Sequence, residues 1–244
     1  GAGALFEGAA MKDDGDGKLQ WGLSAYNNDL AGGAPGRDEL ANESTALNYG
    51  VHLMWNSAGG KSESHAEGDL NHSGDFDWLV GGNVHFINDR YAGVKDEGRS
   101  INVFGAIKTG AGIAAQGEFW ARSDEDPANG AGTDDSTGWY VQGSYTTAPG
   151  EGTQYGFAAR LGMVDLESAN GGSVLEARGS QLAMNAMLDG FTDGSITDGP
   201  LAVNAYYHKH MLKSQFAYTY MKTEPTGGPD STNHGLEASF LLLF

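Results

Sequence analysis

The chain has no cysteine, only six prolines and few cations: 14 Lys and Arg stand against 32 Asp and Glu, a formal net charge of −18 over 244 residues. Without cysteine there is no disulfide framework, no thiol nucleophile and no thiolate metal site. The shortage of cations excludes the basic surface that a nucleic-acid partner requires, because Lys and Arg must replace counterions along the phosphates. Long hydrophobic runs are missing too. No stretch approaches the roughly 20 apolar residues of a membrane-spanning helix. No basic segment leads into an apolar one at the start, so a signal peptide is expected to be absent or removed.

What is present is glycine, 39 residues, and aromatic side chains, 10% of the chain. Disordered chains lose their aromatics, and this one keeps them. Glycine scattered through short alternating segments points to strands that curve or pack closely, as in barrels.

Those segments alternate apolar and polar residues with period two, the pattern of a strand with one apolar face. Leu19, Trp21, Leu23 and Ala25 oppose Gln20, Gly22 and Ser24. Leu47, Tyr49, Val51, Leu53 and Trp55 oppose Asn48 and His52. Trp78, Val80, Val84 and Phe86 oppose Asn83 and His85. Ile101, Val103 and Ile107 oppose Asn102 and Lys108. Ile113, Ala115, Phe119 and Ala121 oppose Gln116, Glu118 and Arg122. Trp139, Val141 and Tyr145 oppose Gln142 and Ser144. Tyr155, Phe157 and Leu161 oppose Arg160. Leu201, Val203, Ala205 and Tyr207 oppose Asn204 and His208. Phe216, Tyr218 and Tyr220 oppose Lys213, Gln215 and Thr219. The closing "LEASFLLLF" sets Leu236, Ala238, Phe240, Leu242 and Phe244 against Glu237 and Ser239. "ALFEGAAMK", near the start, is a weaker eleventh case.

Each segment runs about 8–12 residues, the length of a tilted strand that crosses a bilayer. Strands of soluble sandwiches average about 5–6. The rings of Trp21, Trp55, Trp78, Trp139, Tyr145, Tyr155, Tyr207 and Tyr220 gather toward the ends of the apolar faces, where membrane barrels carry aromatic girdles. Connections alternate short and long. "KDDGDG", "KTGAG", "TAPGEGT" and "HKHM" are short; 27–45, 87–99, 122–137, 166–200 and 222–233 are long and acidic. Residues 57–76 break the rule by being long on the short side. Within 166–200, "QLAMNAML" (181–188) is a candidate twelfth strand.

The expected fold is therefore all-β, a transmembrane antiparallel up-and-down β-barrel with 11–12 strands in this chain, its apolar face on lipid. The polar set above is then pore-lining. Its bases are Lys108, Arg122, Arg160 and Lys213; its acids are Glu118 and Glu237. Phe240, Leu242 and Phe244 form a C-terminal signal of the kind read by the bacterial barrel-assembly machinery. "DDGDGK" lacks the closing Glu of a calcium loop, and "HKH" offers two ligands at most, so no metal or cofactor is expected. His52 and His85 have no Ser or Asp partner at credible geometry, and the chain is expected not to be an enzyme.

The stretches "GWYVQGSYTTAPGEGTQYGFAARLGMVDLE", "LAVNAYYHKHMLKSQFAYTYMK" and "LEASFLLLF", in that order, resemble the phosphate-selective porin O and P family, with weaker echoes in "GKLQWGLSAYNND" and "EGDLNHSGDFDWLVGGNVHF". The resemblance implies a homotrimeric porin of about sixteen strands per chain. Residues 1–244 would then be one outer-membrane barrel domain lacking its N-terminal strands. The implied setting is the outer membrane of a Gram-negative bacterium, against lipid and lipopolysaccharide. The implied function is passive diffusion of small hydrophilic solutes or ions through a water-filled lumen. The family's rows of constriction Arg and Lys are not found here, so phosphate specificity is not expected. A structural or binding barrel, with plugged lumen and partner-binding acidic loops, is the alternative.

Overall fold

The computed structural model describes residues 3–11, 18–26, 47–57, 69–70, 72, 74–91, 94–125, 133–150, 152–167, 194–207 and 212–242. These residues form one antiparallel sheet of twelve strands, with no helix among them. The strands are β1 (Gly3–Met11), β2 (Lys18–Tyr26), β3 (Asn48–Asn56), β4 (Asp77–Tyr91), β5 (Val94–Lys108) and β6 (Ile113–Glu125). There follow β7 (Thr133–Thr146), β8 (Gln154–Glu167), β9 (Gly194–Asp198), β10 (Leu201–Tyr207), β11 (Leu212–Pro225) and β12 (Ser231–Leu242). Each pairs with its neighbour in sequence, the up-and-down order, except that β9 and β10 both lie between β8 and β11.

β9 and β10 are two halves of one strand. Asp198 faces Gly162 and Leu201 faces Ala159, an unbroken register along β8. Along β11 the same holds, with Asp198 on Met221 and Leu201 on Tyr218. Pro200 marks the break because it has no N–H to donate. Its carbonyl still accepts from Arg160 N at 3.0 Å, and Gly199 N donates to Tyr220 O at 2.9 Å. The sheet thus has eleven positions. Among the described residues β1 and β12 each pair on one side only, and the odd number makes them run in the same direction.

The apolar face is uncovered. Val103 is 50% exposed, Val141 53% and Phe157 48%, all from the set expected to meet lipid. A soluble sandwich would lay a second sheet on such a face. Among the described residues the buried apolar ones are few, Ala106, Ala114, Val164, Leu166 and Ile196. A continuous apolar surface of this size belongs in hydrocarbon. The fold is that of the transmembrane antiparallel up-and-down class.

Three expectations about the connections are corrected. Residues 87–91 and 94–99 are strand rather than loop: β4 and β5 pair out to Tyr91 and Val94. Residues 122–125 and 133–137 likewise continue β6 and β7, and 222–225 with 231–233 continue β11 and β12. Backbone pairing does not require an apolar face, so hairpins run on past the lipid boundary with polar side chains. Within 166–200 the described strand is 194–198; "QLAMNAML" lies outside the described residues.

The lipid assignment has a direct consequence. Val103→Arg, in mid-band on the outer face, should destabilise the folded protein by about 2–4 kcal/mol, the cost of a cation at the bilayer midplane. Urea titration in lipid vesicles measures it, and an unchanged midpoint would contradict the outward assignment.

Candidate functional site

The inner face is built from every second residue of each strand, so its chemistry is fixed by register. Cross-strand neighbours join into a polar belt. His52 of β3 pairs with Asn83 of β4, which pairs with Asn102 of β5. Asn83 Nδ2 donates to Asn102 Oδ1 at 3.1 Å, and Asn102 Nδ2 donates to Glu118 Oε1 at 2.5 Å. Glu118 pairs with Tyr140 on β7. The Tyr140 ring lies 4.4 Å beneath the Arg160 guanidinium, whose Nε is 3.7 Å from Asp198 Oδ2. The belt therefore runs from β3 to β9 in one lateral line. Charged members alternate in sign along it, Glu118, Arg160, Asp198, which holds each side chain against the wall.

The large inward rings also lie against the wall, because glycine stands on the adjacent strand. A Cβ at Gly22 would collide with the His52 ring, one at Gly138 with the Trp120 indole, and one at Gly162 with the Asp198 carboxylate. Cβ atoms at Gly81 and Gly50 would lie 2.6 Å from Phe104 and 2.9 Å from His85. The missing side chains make room for rings that would otherwise project inward.

One segment crosses the inner face at the short-turn end. Asp69 Oδ2 accepts from Gly112 N at 2.7 Å, and Asp69 O accepts from Thr146 Oγ1 at 2.7 Å. Gln154 Nε2 donates to Leu70 O at 2.9 Å, His72 Nε2 lies 2.9 Å from Thr146 O, and Gly74 N donates to Gly110 O at 3.0 Å. Gly110 and Gly112 have φ of 72° and 91°, so the β5–β6 turn offers its backbone in a shape that other residues rarely adopt. The long connection 57–76, anomalous in the sequence, is thus anchored to the β5–β6 turn and to two later strands, β7 and β8. Its return into β4 is fixed by Ser57, whose hydroxyl donates to Asp77 Oδ1 at 3.1 Å and accepts from Trp78 N at 3.0 Å.

Most of the pore-lining set stands on this face: His52, Asn83, His85, Asn102, Gln116 and Glu118, then Lys108, Arg122, Gln142, Arg160, Asn204, Lys213, Gln215 and Glu237, by their registers. Asn48 shares the face but is fully buried, its Oδ1 accepting from Asn88 N at 2.6 Å. It therefore caps backbone rather than facing a lumen. His208 lies outside the described residues. Of the aromatic margin, Trp55 and Trp78 meet at the short-turn end, ring centroids 5.9 Å apart. Tyr145, Tyr155 and Tyr207 sit at that same end, Tyr220 near the other. Trp21 and Trp139 sit further into the band, paired with Leu53 and Met163. Phe240 is 73% exposed on the outer face of β12; Phe244 lies outside the described residues.

The sequence reading missed Tyr140, Asp198, Asp69 and His72. Tyr140 is flagged by alternation with Gln142, but its ring suggests a lipid face. Asp198 follows a stretch with no apolar alternation, and Asp69 and His72 lie outside any strand. The inner face is also less uniformly polar than expected. Val164, Leu166 and Ile196 cluster there, with Trp120 and Met221 packed against them.

Two substitutions probe this wall. Gly138→Val forces Trp120 off its seat and should cost about 1–3 kcal/mol of stability by overpacking. Asp69→Ala leaves the buried Gly112 N–H without its acceptor and should cost about 1–3 kcal/mol. Urea unfolding in vesicles reads both; unchanged stability in Gly138→Val would contradict the ring-on-glycine packing, and in Asp69→Ala the anchoring of the 57–76 connection.

No family model and no curated protein matches the chain. The resemblance to the phosphate-selective porins gains nothing from these comparisons. Among solved structures, LpxR from Salmonella typhimurium is similar over 99% of this chain and 88% of its own, at 11% identity and a TM-score of 0.32. The expectation that the chain is not an enzyme does not stand. An antiparallel membrane wall can carry catalysis as readily as diffusion, and strand alternation does not distinguish them. At this TM-score the likeness assigns no activity to the chain.

Proposed function

We propose that this protein is a porin of the Gram-negative outer membrane, passing small hydrophilic solutes or ions through a water-filled lumen bounded by the polar face. The observation that carries the reading is the inner wall itself. From β3 to β9 it presents a belt of amides, imidazole and charges, hydrogen-bonded from Asn83 through Asn102 to Glu118, and its rings lie over glycines instead of filling the interior. A lumen meant to hold water needs both properties. The same reading places lipid and lipopolysaccharide on the outer face, the barrel-assembly machinery at the C-terminal strand, and a homotrimer in the membrane. No chemical step is needed: the hydrated interior replaces the bilayer barrier, and charge biases which ions enter.

With 32 acids against 14 Lys and Arg, the field of the whole chain attracts cations. The native protein in a planar bilayer under a KCl gradient should give discrete conductance steps with cation preference, weakening as salt rises and the Debye length shrinks. Well-folded protein that gives no conductance would overturn the porin reading in favour of a closed structural or binding barrel.

A further inference from the structure

Between β7, β8, β10 and β11 the inner wall dips into a cavity of about 320 Å³. Its floor is a lateral row of small residues on three strands: Ser144 pairs with Ala158, and Ala158 with Ala202. Around the floor stand Arg160 and Lys213, the amides of Gln142, Asn204 and Gln215, and the Tyr206 phenol. Among the described residues that line it, none is a carboxylate. That is notable in a chain whose acids outnumber Lys and Arg 32 to 14. The two cations are held in place. Arg160 stacks on Tyr140 at 4.4 Å and touches Asp198 at 3.7 Å, and Lys213 sits 5.6 Å from the Tyr206 ring centroid.

We propose that this cavity is a binding site for a small polyhydroxylated carboxylate, a sugar acid in chemical class. The inference rests on reading the inner face as a solvent-filled lumen. Three features select the ligand. Asp198 offsets part of the positive charge, so the site carries roughly one net cation and suits a monoanion. Arg160 offers several planar N–H donors for a carboxylate, and Lys213 adds a point charge. The three amides supply donors and acceptors together, which hydroxyl groups match because they both give and take hydrogen bonds. The volume falls within the range of about 300–1,000 Å³ typical of small-molecule sites.

The probe is D-gluconate, titrated by calorimetry into the folded full chain in detergent, with glucose and acetate as partial probes. Gluconate should bind at least about tenfold tighter than either, since each lacks one half of the recognition. The pair of changes Arg160→Gln and Lys213→Gln should weaken gluconate binding by about tenfold or more. Asn204→Asp, nearly isosteric and so a safeguard should the pair fail to fold, places a carboxylate in the cavity and should weaken it similarly. Gluconate binding no tighter than acetate, or undiminished in a folded variant, overturns the site. Conductance is read separately. A non-conducting protein that binds gluconate keeps the site and loses the pore; a conducting protein that does not bind it loses the site and keeps the pore.

Discussion

In hydrocarbon no water is available to satisfy a peptide group, and each backbone N–H and C=O must find a partner within the protein. Every other feature of this structure follows from meeting that demand with strands. Pairing runs unbroken from β1 to β12 and passes through Pro200, where the missing donor is tolerated because the carbonyl stays in register. Once the backbone is committed to a sheet, side chains alternate, and each strand must serve lipid on one face and a second medium on the other. A mean hydropathy of −0.40 is compatible with a membrane protein for this reason: only half of each crossing needs to be apolar.

In the proposed function the second face carries the activity. A polar wall alone could still be packed shut. Rings at His52, His85, Phe104 and Trp120 would narrow any interior if they stood upright, and the glycines opposite them let them lie down. The abundance of glycine, read from the sequence as a sign of strands that curve or pack closely, here seats the inward rings. The connection 57–76 works differently, since Asp69, Leu70 and His72 bind the β5–β6 turn and the ends of β7 and β8 and fix the shape of the short-turn end.

Within the lipid band the sequence was legible because one rule held throughout: outward residues are apolar. That rule alone located the strands containing Val51, Val103 and Phe157 and assigned their faces. Beyond the band it inverts. In β8 and β9 the inward Val164, Leu166 and Ile196 are apolar and buried, while the outward Asp165 and Thr197 are polar. A reading tuned to lipid therefore sees no strand at 194–198 and takes the extended hairpins around Tyr91 and Asp134 for loops. Asp69 and His72 were beyond reach for another reason. Their partners Gly112 and Thr146 are 43 to 77 positions away and are brought close only by the sheet.

Because the chain has no cysteine, single cysteines can be placed along β6 as unique labels without further changes. The measurement that tests the account most directly is reactivity of such labels, from residue 113 to 122, toward a charged membrane-impermeant thiol reagent in vesicles. The two-faced wall requires modification at 116, 118, 120 and 122 and protection at 113, 115, 117, 119 and 121. Equal reactivity on both faces, or protection on the inner one, would contradict a strand that separates lipid from a water-filled lumen.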